Sequence, residues 1–516
     1  MKAFDRQSIN KKDYDILIIG AGIYGAWAAY CATLRGYKVL LIDKNDYASG
    51  TSSASSKLIH GGLRYLKEKD FKLVKKSLEE RKTLQKIAPQ LISPLDFIFP
   101  IYKDSPTAPW MIKIGLMIYD FLAGKENFNK HYLLENSELE SLCPSIKTNE
   151  LKKSYIYQDG QIDDAFFTGQ IIQEAKSLGA DTVNYLDYKD SNKTDKYKVD
   201  LHDQVTNEDY TVHAKIIINC TGRWAKNIAQ TKDIHYKMTK GIHLTLPSIK
   251  LDKAFIFTAS DERVFFLIPW HGRTLIGTTD TFFDDPNKTA ECSEADIQYL
   301  FDSVNHYFKI EFQRQEVLSS WAGIRVLKEA DGSESSLSRD IEFKKGSVSF
   351  YTPIGGKITS ARADTEKLLD LINTENELQK KPAQSQERRF SNAPNGDFQD
   401  WKELETTELL DLNVDQESTQ ELLKRYGSNI QEIKKILRSQ INSKQRIITD
   451  VALIYADLIF QAQHGDIVHL DDLLRRRLPL TILARLEELP KNKIQEALQP
   501  TLNWPEERWQ KEFNRL

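Results

Sequence analysis

Tyr14-Asp-Ile-Leu-Ile-Ile-Gly20-Ala-Gly22-Ile-Tyr-Gly25, with Asp43 eighteen residues further on, decides how this chain is read. An apolar run enters a glycine-rich turn. Ala26 to Arg35 then reads as a helix, Gly36 as a break, and Tyr37 to Ile42 as a second strand ending in an acid. Each part has a physical job. Gly20 permits a tight turn, Gly22 lets backbone amides approach a pyrophosphate, and Gly25 lets the helix pack close to the strand. The helix N-terminus offers free N–H groups and a positive dipole end to phosphates, and Asp43 can take both ribose hydroxyls. Glycine turns alone are common. Strand, turn, helix, strand and acid in this order point to a dinucleotide that contains ADP.

Around that unit the bulk numbers set limits. The 516 residues are long enough for two or three domains with substantial cores. With 40% hydrophobic and 28% charged residues and a net charge of −3, the chain gives no reason to expect nucleic acid. Met1 to Asp13 is polar, so no secretory signal is expected. Cys31, Cys143, Cys220 and Cys292 are scattered without a CxxC pair. They read as free thiols of a reducing cytoplasm, not as a disulfide or metal framework. No apolar run reaches the roughly 18–20 residues of a membrane span. Trp110 to Ala123 is the nearest, but it is short and carries Lys113 and Asp120. It reads as a buried helix packing Trp110, Ile114, Met117 and Phe121, in preference to a segment lying in a membrane interface.

Further along, an amphipathic helix is expected around Phe71, Val74 and Leu78, and the proline-punctuated stretch from Pro89 to Pro109 reads as a domain crossing. Tyr197 to Leu201 and Tyr210 to Ala214 read as a hairpin, followed by a buried strand from Lys215 that ends at Cys220-Thr221-Gly222. Ile242 to Leu246, Ala254 to Thr258, Val264 to Pro269 and Thr274 to Thr278 read as an antiparallel sheet separate from the parallel one. A strand from Val348 to Thr352 leads to Gly355-Gly356-Lys357, read as opening a helix. After a linker rich in Lys, Gln, Ser and Pro, the remainder reads as an all-α domain.

The dinucleotide is either NAD or FAD. No second glycine fingerprint follows Gly25, and the pieces that return at Cys220–Gly222 and Gly355–Thr359 suit a long cofactor touched by several parts of the chain. The first point argues against a flavoprotein that also binds a nicotinamide, and the second favours FAD. A second helix N-terminus at Gly355-Gly356-Lys357 would favour negative charge on the reduced flavin.

Thr51-Ser-Ser-Ala-Ser-Ser-Lys57-Leu-Ile-His60-Gly-Gly-Leu-Arg64-Tyr-Leu66, together with the N-terminal fingerprint, resembles the FAD-dependent glycerol-3-phosphate dehydrogenases. Trp110 to Asp120, Lys240-Gly-Ile-His243, Ile268-Pro-Trp270, Ile276 to Asp280, Gly323-Ile-Arg325, Ser338-Arg339-Asp340 and Gly355 to Thr359 match in the same order. The likeness runs from about Tyr14 to Glu366. It continues more weakly through Leu423 to Gly427 and Asp472 to Arg476, which look like that family's helical cap.

The resemblance implies oxidation of sn-glycerol 3-phosphate to dihydroxyacetone phosphate, with electrons passing through FAD to a quinone, ubiquinone or menaquinone. Arg64, Arg339 and Lys357 match positions that hold the phosphate, a dianion that needs converging cations. Arg325 matches the position beside the reacting carbon, where fixed positive charge stabilises an alkoxide and the reduced ring. His60 and His243 are alternative bases for the hydroxyl proton. Expected cofactor contacts are Gly20, Gly22, Ile23, Gly25, Asp43, Thr51, Ser52, Ser56, Lys57, Leu58, Thr221, Gly222, Gly355, Gly356, Lys357, Ile358 and Thr359. The FAD is expected to be non-covalent, with His60 the first place to look for a link.

The chain departs from the family pattern in places. Cys220 stands for the usual Ala, Arg223 for Pro, Val326 for Pro, and Ser360-Ala361 for Thr-Tyr. None removes a charge the chemistry needs. An amino-acid or 2-hydroxy-acid oxidase of the same superfamily would need one cationic clamp, and the cluster here is richer. A non-enzymatic FAD-binding protein would not need the cluster or the histidines. The long insertion typical of oxygen-reducing glycerol-3-phosphate oxidases is absent, which favours the quinone. Peripheral attachment to the inner face of the cell membrane is implied. The Trp110 helix and the basic groups Lys434, Lys435, Arg438, Arg475, Arg476 and Arg477 are set as lipid contacts against plain solvated faces. A homodimer is compatible with the family.

The expected fold class is α/β, a Rossmann-like FAD-binding domain with an antiparallel-sheet substrate domain and a C-terminal all-α cap. The FAD-binding domain is assigned to 13–90, 145–235 and 326–380, and the substrate domain to 91–144 and 236–325. The linker is placed at 381–396 and the helical domain at 397–516.

Overall fold

A computed structural model describes residues 5–66, 69–124, 128–329, 340–378 and 381–516. The opening strand, Asp13–Ile19, lies inside an eight-stranded sheet, between Val39–Ile42 and Glu208–Asn219 and parallel to both. Ile16 faces Val39 on one side and Ile216 on the other. Asp181–Val183 and Phe350–Ile354 extend the parallel set outward, and Glu342–Lys345 closes one edge antiparallel. Ile16, Leu17 and Ile18 are fully buried because both faces are covered, which is why this strand is apolar without alternation. Helices Ile23–Leu34, Asp164–Ser177 and Ala361–Glu375 cover one face. The meander Leu186–Lys193, Tyr197–Asp203 and Glu208–Asn219 covers the other. The expected hairpin forms, with Leu201 opposite Tyr210 and Tyr197 opposite Ala214. Its second arm and the following apolar run are one strand, antiparallel to its hairpin partner and then parallel to the opening strand.

The second sheet has ten strands. Lys237–Pro247, Arg273–Gly277, Val264–Trp270 and Ala254–Thr258 run antiparallel, as the short β runs suggested. Ala254–Thr258 then pairs parallel with Ser93–Tyr102, which pairs antiparallel with Leu151–Gln161. The assigned boundaries therefore shift. Leu151–Gln161 and Leu58–Ile59 fall in stretches given to the FAD-binding domain but hydrogen-bond into this sheet, and Ser319–Leu327 straddles the boundary at 325.

From residue 397 the chain is helical, without a named strand among the described residues. This domain is welded to the rest. Leu409, Leu422, Tyr426 and Ile459 share a core with Trp27 and Phe167, while Leu473, Leu480 and Trp509 share another with Trp270 and Trp321. The segment read as a linker is a packed strap. Phe390 is 2% exposed with its ring 6.0 Å from Trp27, and Ser391 donates its amide to Glu174 Oε1 at 2.8 Å.

Three further expectations are corrected. In helix Pro109–Ala123 the stripe read as buried faces outward: Trp110 is 64% and Phe121 83% exposed, with Met111, Ile114 and Met117 about half exposed, and only Leu116 and Tyr119 are buried. A moderate apolar stripe does not tell which side meets a core. The C-terminal basic groups divide. Lys434 is buried between Glu405 and Glu408, Arg476 pairs with Asp46, Asp471 and Asp472, and Arg477 with Asp46. These three neither reach lipid nor sit on a solvated face, while Lys435 and Arg438 are exposed. Finally, Gly355-Gly356-Lys357 does not open a helix; the helix begins at Ala361, capped at Ser360. No helix among the described residues is long and apolar enough to cross a membrane.

Candidate active site

A cavity of 590 Å³ opens along the carboxyl end of the parallel sheet and runs between the two sheets. Its first wall is the glycine turn. Gly20 has φ +99°, and a Cβ there would lie 2.7 Å from Cys220 O; one at Gly25 would lie 1.8 Å from Gly20 O. Gly22 is the N-cap of Ile23–Leu34 and has no side chain to obstruct the helix N-terminus. Ile23 donates its amide to Ser52 Oγ at 2.9 Å, which fastens the Thr51–Ser53 turn to the helix. Asp43 Oδ2 accepts from Ala21 N–H at 2.7 Å and Oδ1 from Asn45 N–H at 2.9 Å. Burial pushes its carboxyl up to about 6, against those two amides. Ribose hydroxyls donating to the remaining lone pairs would offset that penalty. The far wall is Gly355–Thr359. Gly355 and Gly356 have φ +85° and +86°, and a Cβ on Gly356 would strike Tyr24 OH at 1.8 Å. The length of the cavity, the bare helix N-terminus and the buried acid suit a flavin dinucleotide.

The expected cofactor contacts Gly20, Gly22, Ile23, Asp43, Thr51, Ser52, Ser56, Leu58, Thr221, Gly222, Gly355, Gly356, Lys357, Ile358 and Thr359 all line this cavity. Gly25 lies beneath it, on the helix. Lys57 is different. Its Nζ pairs with Asp164 Oδ1 at 2.6 Å, donates to Ser53 O at 2.8 Å, and lies over the Trp270 and Trp321 rings. It braces the Ser-rich loop from behind and is not part of the lining. Thr51 Oγ1 donates to Ile324 O at 2.6 Å and so also serves the loop.

The residues expected to carry the chemistry sit where the second sheet meets the cavity. Arg325 projects from Ser319–Leu327. Its guanidinium donates to Thr278 Oγ1 at 2.8 Å and to Thr279 O and Asp280 Oδ1, both at 3.2 Å. Gly241 lies beneath it, since a Cβ there would stand 2.3 Å from Arg325 Nη2. His243, on the neighbouring strand, stacks on Trp321 with ring centroids 5.0 Å apart and 8° between planes. Its Nε2 hydrogen-bonds Ser56 Oγ at 2.8 Å, and Gly277 leaves room for the ring. Burial, Arg325 and Lys57 together hold His243 well below the usual histidine pKa, so it is neutral. His60 and Lys357 also line the cavity. His60 donates its amide to Thr359 Oγ1 at 3.3 Å, and Lys357 Nζ lies 3.8 Å from the Tyr65 ring centroid. Arg339 lies outside the described residues, and of Arg64 only the backbone is described.

Sequence reasoning missed the support beneath this cluster. Tyr24 OH donates to Asp364 Oδ2 at 2.8 Å and accepts from Lys357 N–H at 3.2 Å, and Asp364 also pairs with Lys76. These residues come from three distant segments, and only the motif around Gly355 hinted at them.

The family described as FAD dependent oxidoreductase matches residues 15–344, and the C-terminal domain of alpha-glycerophosphate oxidase matches residues 383–509. The chain is 30% identical over 502 residues to the aerobic glycerol-3-phosphate dehydrogenase of Staphylococcus aureus (strain USA300), covering 92% of this chain and 89% of that protein. It is similar to the glycerol-3-phosphate dehydrogenase from Bacillus halodurans complexed with FAD, with a TM-score of 0.78 and 25% identity over 99% of this chain and 95% of that one. The L-alpha-glycerophosphate oxidase from Mycoplasma pneumoniae, with FAD bound, shares the fold at a TM-score of 0.56 and 18% identity, over 70% of this chain and 95% of its own. Matched in both its cofactor domain and its helical domain, the chain belongs to the FAD dependent oxidoreductases, in their branch of glycerol-3-phosphate dehydrogenases and oxidases.

Proposed function

We propose that the protein oxidises sn-glycerol 3-phosphate to dihydroxyacetone phosphate and passes the electrons to a membrane quinone. The observation that carries this reading is the convergence of Arg325, Lys357, His60 and His243 on one cavity whose other end is shaped for FAD. Bound FAD supplies the hydride acceptor. Lys357 holds the substrate phosphate, and Arg64 and Arg339 are the further cations proposed for it. Arg325, fixed by Thr278, Thr279 and Asp280, lies where negative charge grows on the C2 oxygen. Trp321 and the buried strand ends exclude water around His243.

The hydroxyl proton is assigned to His60. A base must gain charge during the step, and burial with two nearby cations opposes that at His243. His243 therefore stays a neutral partner that orients Ser56. His60→Gln is expected to lower kcat by about 10²–10⁴-fold, the usual range for loss of a general base. His243→Asn should cost less and leave the acidic limb of the pH–rate profile in place. An acidic limb that vanishes in His243→Asn and persists in His60→Gln would reverse the assignment.

The quinone is supported by the uncovered Trp110, Met111, Ile114, Met117 and Phe121 face, suited to lying in a lipid surface. The deciding experiment is anaerobic addition of sn-glycerol 3-phosphate to the yellow protein. Bleaching of the flavin band, reversed by a quinone analogue faster than by air, is the expected result. Re-oxidation by air at the higher rate would make the protein an oxidase, and a band that stays yellow would overturn the substrate.

A further inference from the structure

Next to the large cavity lies a second, of 510 Å³, and the Ser49–Ala54 loop forms a wall of both. Ser52 lines only the larger and Ser53 only the smaller. Two arginines from separate segments reach the smaller one, Arg223 from the turn after strand Glu208–Asn219, which lines the larger cavity as well, and Arg475 from the helical domain, which lines only the smaller. The one carboxylate among its lining residues is Glu291, which is exposed.

Arg475 differs from its neighbours in sequence. Arg476 and Arg477 are saturated by Asp46, Asp471 and Asp472. Arg475 makes no ion pair or hydrogen bond among the described residues, yet it is largely withdrawn from water. Burial, with Arg476 adding to it, pulls its pKa below the usual arginine value against the attraction of Asp471 and Asp164. Arg223 is held ready, its guanidinium 4.3 Å from the Trp224 ring and Nη1 donating to Lys288 O at 3.1 Å. That leaves donors of both side chains for a ligand. A desolvated cation without a counter-charge is costly, and an anion with several acceptor oxygens offsets that cost with charge-assisted hydrogen bonds.

We propose that this cavity is a second anion site, taking a small phosphate-bearing ligand with Arg223 and Arg475 as its cationic contacts. The site goes beyond the proposed reaction and is independent of Lys357. Because the Ser49–Ala54 loop is shared, its occupant bears on the wall of the cofactor cavity.

The test is calorimetric titration of the FAD-loaded full chain, with inorganic phosphate in one arm and glycerol 2-phosphate in the other. The tighter arm identifies free phosphate or a phosphate ester as the source. Arg475→Gln is expected to weaken one binding event by about 10-fold or more, as loss of a charged hydrogen-bond donor does, while Arg475→Lys keeps much of it. Lys357→Met should leave that event intact and remove a separate one. If Arg475→Gln does not fold, as judged by FAD absorbance and melting, Arg223→Ser reads the same event. Phosphate binding unchanged in the arginine variants overturns the proposal, as does loss of all binding in Lys357→Met alone. An Arg475-dependent event without a Lys357-dependent one upholds it and counts against the substrate reading.

Discussion

Arg325→Ala is expected to purify yellow, with its FAD, and to be bleached by sn-glycerol 3-phosphate about 10²–10³-fold more slowly than the native chain, the range for losing one aligned donor at a developing oxyanion. The guanidinium is anchored on Thr278, Thr279 and Asp280, away in sequence from the glycine turn, so the FAD is expected to stay bound without it. Hydrogen bonds to Thr278 Oγ1, Thr279 O and Asp280 Oδ1 fix its plane against the strand, and Gly241 gives it space. Arg325→Lys should recover little, because an ammonium cannot reproduce that fork. The rate of anaerobic flavin bleaching after rapid mixing is the measurement. Near-native bleaching by Arg325→Ala would remove the role proposed for this residue.

The largest stability effect is expected at Asp46, which is fully buried and receives Arg476 at 2.6 Å and Arg477 at 2.8 Å from more than four hundred residues away. Asp46→Asn would leave two buried guanidinium groups short of charge, a loss of about 3–5 kcal/mol for breaking such a cluster. The lower apparent melting temperature should come with exposure of the helical domain, since this cluster joins that domain to the dinucleotide unit. The pH dependence has a definite sign. Burial raises the Asp46 pKa, but Arg477 and Arg476 outweigh it and hold the carboxyl at about 2, below its ordinary 3.8. A depressed folded pKa gives stability that is present above 3.8 and lost as pH falls towards 2. The gap in melting temperature between native and Asp46→Asn protein should therefore narrow across that window. A gap that stays constant to pH 2 would show that the carboxylate charge is not its source.

What was legible in the sequence was local. The glycine turn, the apolar strands on either side, the hairpin at Tyr197–Ala214 and the β runs from Ile242 to Gly277 each carry their signal within a few residues, because backbone conformation and burial on both faces are set by neighbours in sequence. Much of the cavity wall was readable for the same reason, since positive φ and crowding by neighbouring protein atoms demand glycine at Gly20, Gly355 and Gly356. Lys57 was misread because a lysine beside such a turn looks the same in sequence whether it points at the cofactor or behind the loop, and Asp164, more than a hundred residues on, decides it. The outward face of Pro109–Ala123, the buried pairing of Lys434, Arg476 and Arg477, and the packing of Phe390 against Trp27 have the same origin. A stripe, a charge run or a linker composition states what a segment can bury or pair. Which partner it meets depends on how two sheets and a helical domain close on one another, and that was settled only in the tertiary structure.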